Sequence, residues 1–162
     1  MGYPMDLTSI AGDSLWAALF AVGLGVRLTA PLQYLAPTFL AAFAGKSVHS
    51  LLVQGGLGRD WATVLAAAAI VAVAVATTRR HRVSPIVLIC GVLPLGAAGA
   101  VFRAVFELLK VSSAEGEALN AAALAWIAQA SRAFTGTMAI ALGLGVGLII
   151  TRLLDRREVA EF

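Results

Sequence analysis

Long apolar runs separated by short polar or basic segments order the chain, and each is long enough to be read as a membrane-crossing helix at about 20 residues per crossing. The first runs from about Ser9 to Val26, with Asp13 near its start and Arg27 at its end. The second, about Leu28 to Val53, is interrupted early by Pro31 and Pro37 and contains Lys46 and His49. The third, Trp61 to Thr78, is uncharged and rich in Ala and Val. It starts behind Asp60, expected as its N-cap, and stops at Arg79-Arg80-His81-Arg82. The fourth begins near Pro85, stays apolar through Phe102 and extends to about residue 109; Arg103, Glu107 and Lys110 appear in its last part at helical spacing, and the polar stretch Ser112 to Glu117 closes it. The fifth reaches from Leu119 to about residue 152, longer than one crossing. It is either one long tilted helix or a short helix followed by the true span from about Ala133 to Thr151.

Composition sharpens this pattern into a class. Of 162 residues, 60% are hydrophobic and 13% charged, against about 45–50% and about 25% in a soluble domain. The mean hydropathy is +0.89. A soluble enzyme, a nucleic-acid reader and a disordered chain are excluded, because each needs polar or charged surface that is missing here. The expected fold is an all-α polytopic membrane protein, one transmembrane domain over residues 1–162, with a bundle of five helices. A four-helix version has the second run lying in the interface. The lipid bilayer is the first partner, and no nucleic acid is expected.

The basic residues set the expected orientation. With the N-terminus outside, the cytoplasmic segments hold Arg27, Arg79, Arg80, Arg82, Arg152, Arg156 and Arg157, and the outer segments hold only Arg59 and Lys110. That asymmetry fits the positive-inside rule with the C-terminus in the cytoplasm. Met1 to Thr8 has no Lys or Arg and carries Asp6, so the first helix is expected to stay attached and not to be cleaved as a signal peptide.

Removing the loops leaves Lys46, His49, Arg103, Glu107 and Arg132 at or near membrane depth. A charge near a helix centre costs at least about 2.5–3.5 kcal/mol, so such residues face a cavity, a partner, or the interface by snorkelling. Lys46 and His49 share a face of the second helix. Gly96, Gly99, Arg103, Glu107 and Lys110 form one stripe of the fourth, and Gln129, Arg132, Gly136, Ala139, Gly143 and Gly147 one stripe of the fifth. The third helix has no polar stripe and reads as lipid-facing or as scaffold. Arg103 and Glu107, four apart, are expected to neutralise each other, which leaves Lys46, His49 and Arg132 without acidic partners. That excess of positive charge suits an anionic or zwitterionic ligand bearing a carboxylate.

Pro94-Leu95-Gly96-Ala97-Ala98-Gly99 predicts a break in the fourth helix, since proline removes a backbone donor and glycine loosens the turn. Transporters use broken helices to aim backbone N–H groups at anions, and Arg103, one turn beyond Gly99, is placed to reach the same spot. The alternative is a proline kink with glycines that serve packing. Enzyme signatures are absent: two histidines and one cysteine give no metal-ligand spacing, Cys90 reads as a small buried hydrophobe, and no phosphate-loop ending follows the glycines. No catalytic residue, metal or cofactor is expected. Gly143 and Gly147 form a packing motif in an apolar helix.

Gly45-Lys46 with His49, Gly56-Leu57, Trp61-Ala62-Thr63, a basic turn, Ser84-Pro85 and the Pro94 to Gly99 segment resemble, in that order, the small subunit of the threonine/serine exporter family. The likeness covers roughly Ala41 to Arg157. Such chains resemble the C-terminal membrane half of the fused exporter and the small subunit of a two-component succinate exporter. The resemblance implies export of threonine, serine or succinate across the bacterial inner membrane, with a large partner subunit. The chain departs from the family's pattern where Lys46 then His49 replace His then Arg, and where Ala98-Gly99 replaces a second Pro-Gly.

Three readings remain. In the first, Lys46, His49, Pro94, Gly96, Gly99, Arg103 and Arg132 bind the substrate carboxylate and His49 or Glu107 titrates to couple transport to protons. In the second, the polar stripes are docking surfaces for a large subunit, or for a second copy through the glycine stripes. In the third, the chain is an independent channel or multidrug-type pump with Asp13 as its key acid.

Overall fold

A computed structural model describes residues 7–78 and 84–160, and the described residues are helical throughout apart from short turns. The helices are α1 (Leu7–Arg27), α2 (Leu35–Gln54), α3 (Arg59–Thr77), α4 (Pro85–Val92), α5 (Ala97–Ser113) and α6 (Glu117–Ala160), with 3₁₀ turns at Leu32–Tyr34 and Leu93–Leu95. The basic run Arg79-Arg80-His81-Arg82 and the last residues 161–162 lie outside the described residues.

Among the described residues three helices are long and apolar enough to cross a membrane: α1 over Thr8–Arg27, α3, and α6 over Glu117–Leu153; the interrupted pair α4 and α5 makes a fourth if counted as one span. The second predicted run is corrected at its start. It begins at Leu35 and not at Leu28, because Thr29 takes a positive φ of 56° and Pro31 caps a 3₁₀ turn that precedes the helix. A residue before proline is pushed out of the helical region, so Ala30-Pro31 ends any continuation from α1. α2 is 20 residues long but stands outside the apolar set, as it carries Thr38, Lys46, Ser47, His49, Ser50 and Gln54. The fifth run is a single helix of 44 residues, which sets aside the version built from two segments. Asp60 is also corrected: Gly58 is the N-cap of α3 and no side chain caps it, while Asp60 sits in the first turn, where a negative charge favours the helix dipole.

The chain divides into two compact units, one of Met1–Leu95 with Ala139–Phe162 and one of Gly96–Met138. In the first, α2 is the central element: α1, α3, α4 and both 3₁₀ turns pack against it. Its core is made of small residues, Ala41, Ala66, Ala67 and Ala74 with Ile70, Val87 and Leu95 on one side, and Ala18, Ala21, Ala42 and Cys90 on the other. Without a hydrophobic driving force between helices in lipid, such residues give stability by letting backbones approach closely. Gly45 of α2 and Gly91 of α4 both abut the fully buried Ile70 of α3, and Gly143 and Gly147 of α6 seat against Val64, Ala67 and Val71 of α3. The helix read as lipid-facing or scaffold is therefore scaffold, with seven buried residues from Ala62 to Ala74. Cys90 is fully buried, as expected.

The second unit holds α5 and α6 up to Met138. Gly116, at φ 61°, turns the chain between the two helices, and Ala104 and Ala133 are the buried hydrophobic residues among those described.

Candidate functional site

The predicted site residues do not all fall in one unit. Lys46, His49 and Pro94 belong to the first, while Gly96, Gly99, Arg103, Glu107 and Arg132 belong to the second. Their burial differs in the same way. His49 is only 6% exposed and Lys46 is half-buried, whereas Arg103, Arg132, Gly96 and Gly99 are exposed.

On α2, His49 follows Gly45 by one helical turn, on the face that meets α3. Helical side chains lean toward the N-terminus, so the imidazole overlies the turn whose missing Cβ brings Ile70 and the Ala66 carbonyl close. Its Nε2 is buried and has no hydrogen-bond partner among the described residues. Leaving such an atom unpaired costs about 1–3 kcal/mol. Lys46 and Arg59 lie within electrostatic range of the ring, and neither has an ion pair among the described residues. Lys46 on the central helix, the exposed Arg59 at the start of α3 and a sealed polar nitrogen make an environment that an anion relieves.

Next to Lys46, the Ser47 hydroxyl donates to the fully buried Ser14 hydroxyl of α1 at 2.9 Å. Sequence reasoning missed this clasp, although isolated serines in apolar helices are its signal. Asp13, the acid of the pump reading, is exposed beside it.

The break predicted at Pro94 to Gly99 falls at Leu93–Gly96. α4 ends at Val92, the 3₁₀ turn follows, and Gly96 takes φ 101° as the N-cap of α5. Pro94 thus lies in the turn and Gly96 is the conformational pivot, while Gly99 is an ordinary residue of α5 with nothing within 4 Å of its missing side chain. The expected pairing of Arg103 with Glu107 is corrected: Glu107 accepts from Lys110 Nζ at 2.8 Å, three residues on, and Arg103 has no ion pair among the described residues. The i, i+4 order that places Arg before Glu is the weaker one, and Lys110 competes successfully from the next turn. The stripe on α6 also divides. Gly143 and Gly147 serve packing against α3, whereas Gly136 touches nothing within 4 Å.

A separate cavity of about 210 Å³ is lined by Gln33, Tyr34, Pro37, Thr77 and Thr78, where the start of α2 meets the end of α3, and none of the predicted site residues reaches it. Among the described residues no cluster of His, Cys, Asp or Glu could hold a metal ion.

A many-helix chain with several apolar spans, a helix broken by Pro94 and Gly96, and a cation, Lys46, on its central helix defines a multi-pass membrane protein of transporter type. The family described as "Threonine/Serine exporter, ThrE" matches residues 13–154, and the chain belongs to that family. The match takes in α1 from Asp13 onward, which the motif likeness from Ala41 onward left out. No solved structure matches the chain.

Proposed function

We propose that this chain is the small membrane subunit of an exporter for small carboxylate metabolites of the threonine, serine or succinate type, working with a large partner subunit in a bacterial inner membrane. The observation that carries the reading is Lys46: a half-buried cation on the helix around which the first unit packs, without an ion pair among the described residues. A cation kept at that cost inside an exporter-family chain supports an anionic group as its partner during transport. The N-terminus is placed outside and the C-terminus in the cytoplasm, on the strength of the arginine asymmetry.

Uptake and efflux of labelled threonine, serine and succinate in vesicles, with the chain alone and with the product encoded beside it, test the proposal. Transport of one of the three only with the partner is the expected result. Transport by the chain alone removes the obligate partner, and no transport under either condition removes the substrate class. Lys46→Gln is expected to reduce transport at least tenfold while leaving the complex assembled. If Lys46→Gln abolishes assembly instead, the subunit is a structural one whose polar face docks the partner.

A further inference from the structure

The exporter reading pairs Lys46 with an anionic group but leaves open which uncharged group of this chain fixes that anion in place. Of the residues marked by the sequence, His49 alone is nine-tenths buried and carries a polar atom, Nε2, with no hydrogen bond among the described residues. A neutral imidazole nitrogen takes either a donor or an acceptor, depending on its tautomer. Its surroundings choose between them. Lys46 sits one turn away on the same helix, and Arg59 at the start of α3 also acts on the ring. No hydroxyl among the described residues bonds this nitrogen: Ser47 donates to Ser14 and Thr63 to the Arg59 carbonyl. An ammonium approaching this position meets two like charges, whereas a carboxylate meets two opposite ones.

We propose that His49 Nε2–H donates a hydrogen bond to the carboxylate of the transported solute, with Lys46 supplying the charge, so that the carboxylate pole is held by α2 in the first unit. This rests on the exporter reading for the identity of the solute, and only for that. The contact draws on α2 residues of the first unit alone. The α-amino group is then dispensable for binding here, which places amino acids and plain hydroxy- or dicarboxylates in one ligand class.

The chain has only two histidines, His49 and His81, so ¹⁵N-histidine NMR of the full chain in lipid nanodiscs reads the site directly, with His49→Gln assigning the signal. The probes are L-threonine, 3-hydroxybutyrate (threonine without its amine), succinate, and L-threoninol (threonine without its carboxylate). Expected is a shift of the His49 Nε2 resonance with the three carboxylates and none with threoninol. An equal shift with threoninol, or none with any carboxylate, overturns the proposal. In the export assay, His49→Phe, which keeps the ring volume without a donor, is expected to lose at least tenfold in threonine export, while His49→Gln retains most of it. Normal export by His49→Phe overturns the carboxylate contact and leaves the exporter reading standing. A carboxylate-specific NMR response in a chain that exports none of the three solutes overturns the exporter reading and leaves the contact standing.

Discussion

At the scale of single residues, the glycines divide by what their missing Cβ would strike. At Gly143 it would meet the Val64 carbonyl oxygen, with Ala67 Cβ at 2.6 Å, and a backbone atom has no rotamer to move into. At Gly45 it would meet Cγ1 and Cδ1 of the buried Ile70, side-chain rather than backbone atoms, and at Gly145 nothing lies within 4 Å. Overpacking costs about 1–3 kcal/mol, while alanine in place of glycine in a helix interior gains about 0.5–1 kcal/mol. Thermal unfolding of purified variants should therefore rank Gly143→Ala as the most destabilised, Gly45→Ala as intermediate, and Gly145→Ala as equal to or slightly above the parent. A Gly143→Ala variant as stable as Gly145→Ala would mean that α6 does not seat on α3 there. The stripe of glycines on α6 was legible in the sequence, but the distinction within it, Gly136 open and Gly143 crowded, was not, because periodicity gives a face and not the atoms across from it.

The elements were legible to different degrees for a physical reason. α1 and α3 are apolar along their length, and their limits follow from charged ends, so Arg27 closes the first as expected. α2 was blurred because its role is internal: it keeps Lys46, His49 and three hydroxyls among its neighbours, which lowers its apolar character while its packing is the most extensive. The break after α4 was readable from Pro94 and two glycines, yet only one of those glycines makes it. Gly96 at φ 101° occupies a region that costs an ordinary residue about 1–2 kcal/mol, whereas Gly99 is helical and uncrowded. Gly96→Ala should lower the unfolding temperature and reduce export, and Gly99→Ala should leave both unchanged or raise stability slightly. Equal effects of the two substitutions, measured in the same membranes, would remove Gly96 as the pivot. The pairing of Glu107 with Lys110 was missed for a milder reason. Both cations lay within reach on sequence, and such exposed pairs differ by well under about 1 kcal/mol.

For the whole molecule, the decisive question is whether α2 traverses the membrane beside α1 and α3, since that fixes the number of spans and the side on which each loop lies. Its register argues that it does. α2 meets the end of α1 at Gly25 and Leu35 and the middle of α1 at Ser14 and Ser47. It shares the cavity at Pro37 and Thr77 with the end of α3 and reaches the middle of α3 at Gly45 and Ile70. Over those twelve or so residues, about 18 Å at 1.5 Å per residue, it runs antiparallel to two helices that each have the length and apolarity to cross. The sole cysteine, Cys90, is fully buried, so the parent chain should stay dark to a membrane-impermeant maleimide, and one added cysteine reports one position. Gln33, before α2, is exposed, and Gly58, after it, has only Trp61 near its missing Cβ, at 4.0 Å. In intact cells Gly58→Cys is expected to label and Gln33→Cys is not, with both labelling once the membrane is opened. The reverse pattern would turn the molecule over and put the arginine-rich segments outside. Labelling of both in intact cells, or of neither, would place the two ends of α2 on one side and reduce it to a helix packed within the bundle without crossing, which would also take Lys46 and His49 off any path through the membrane.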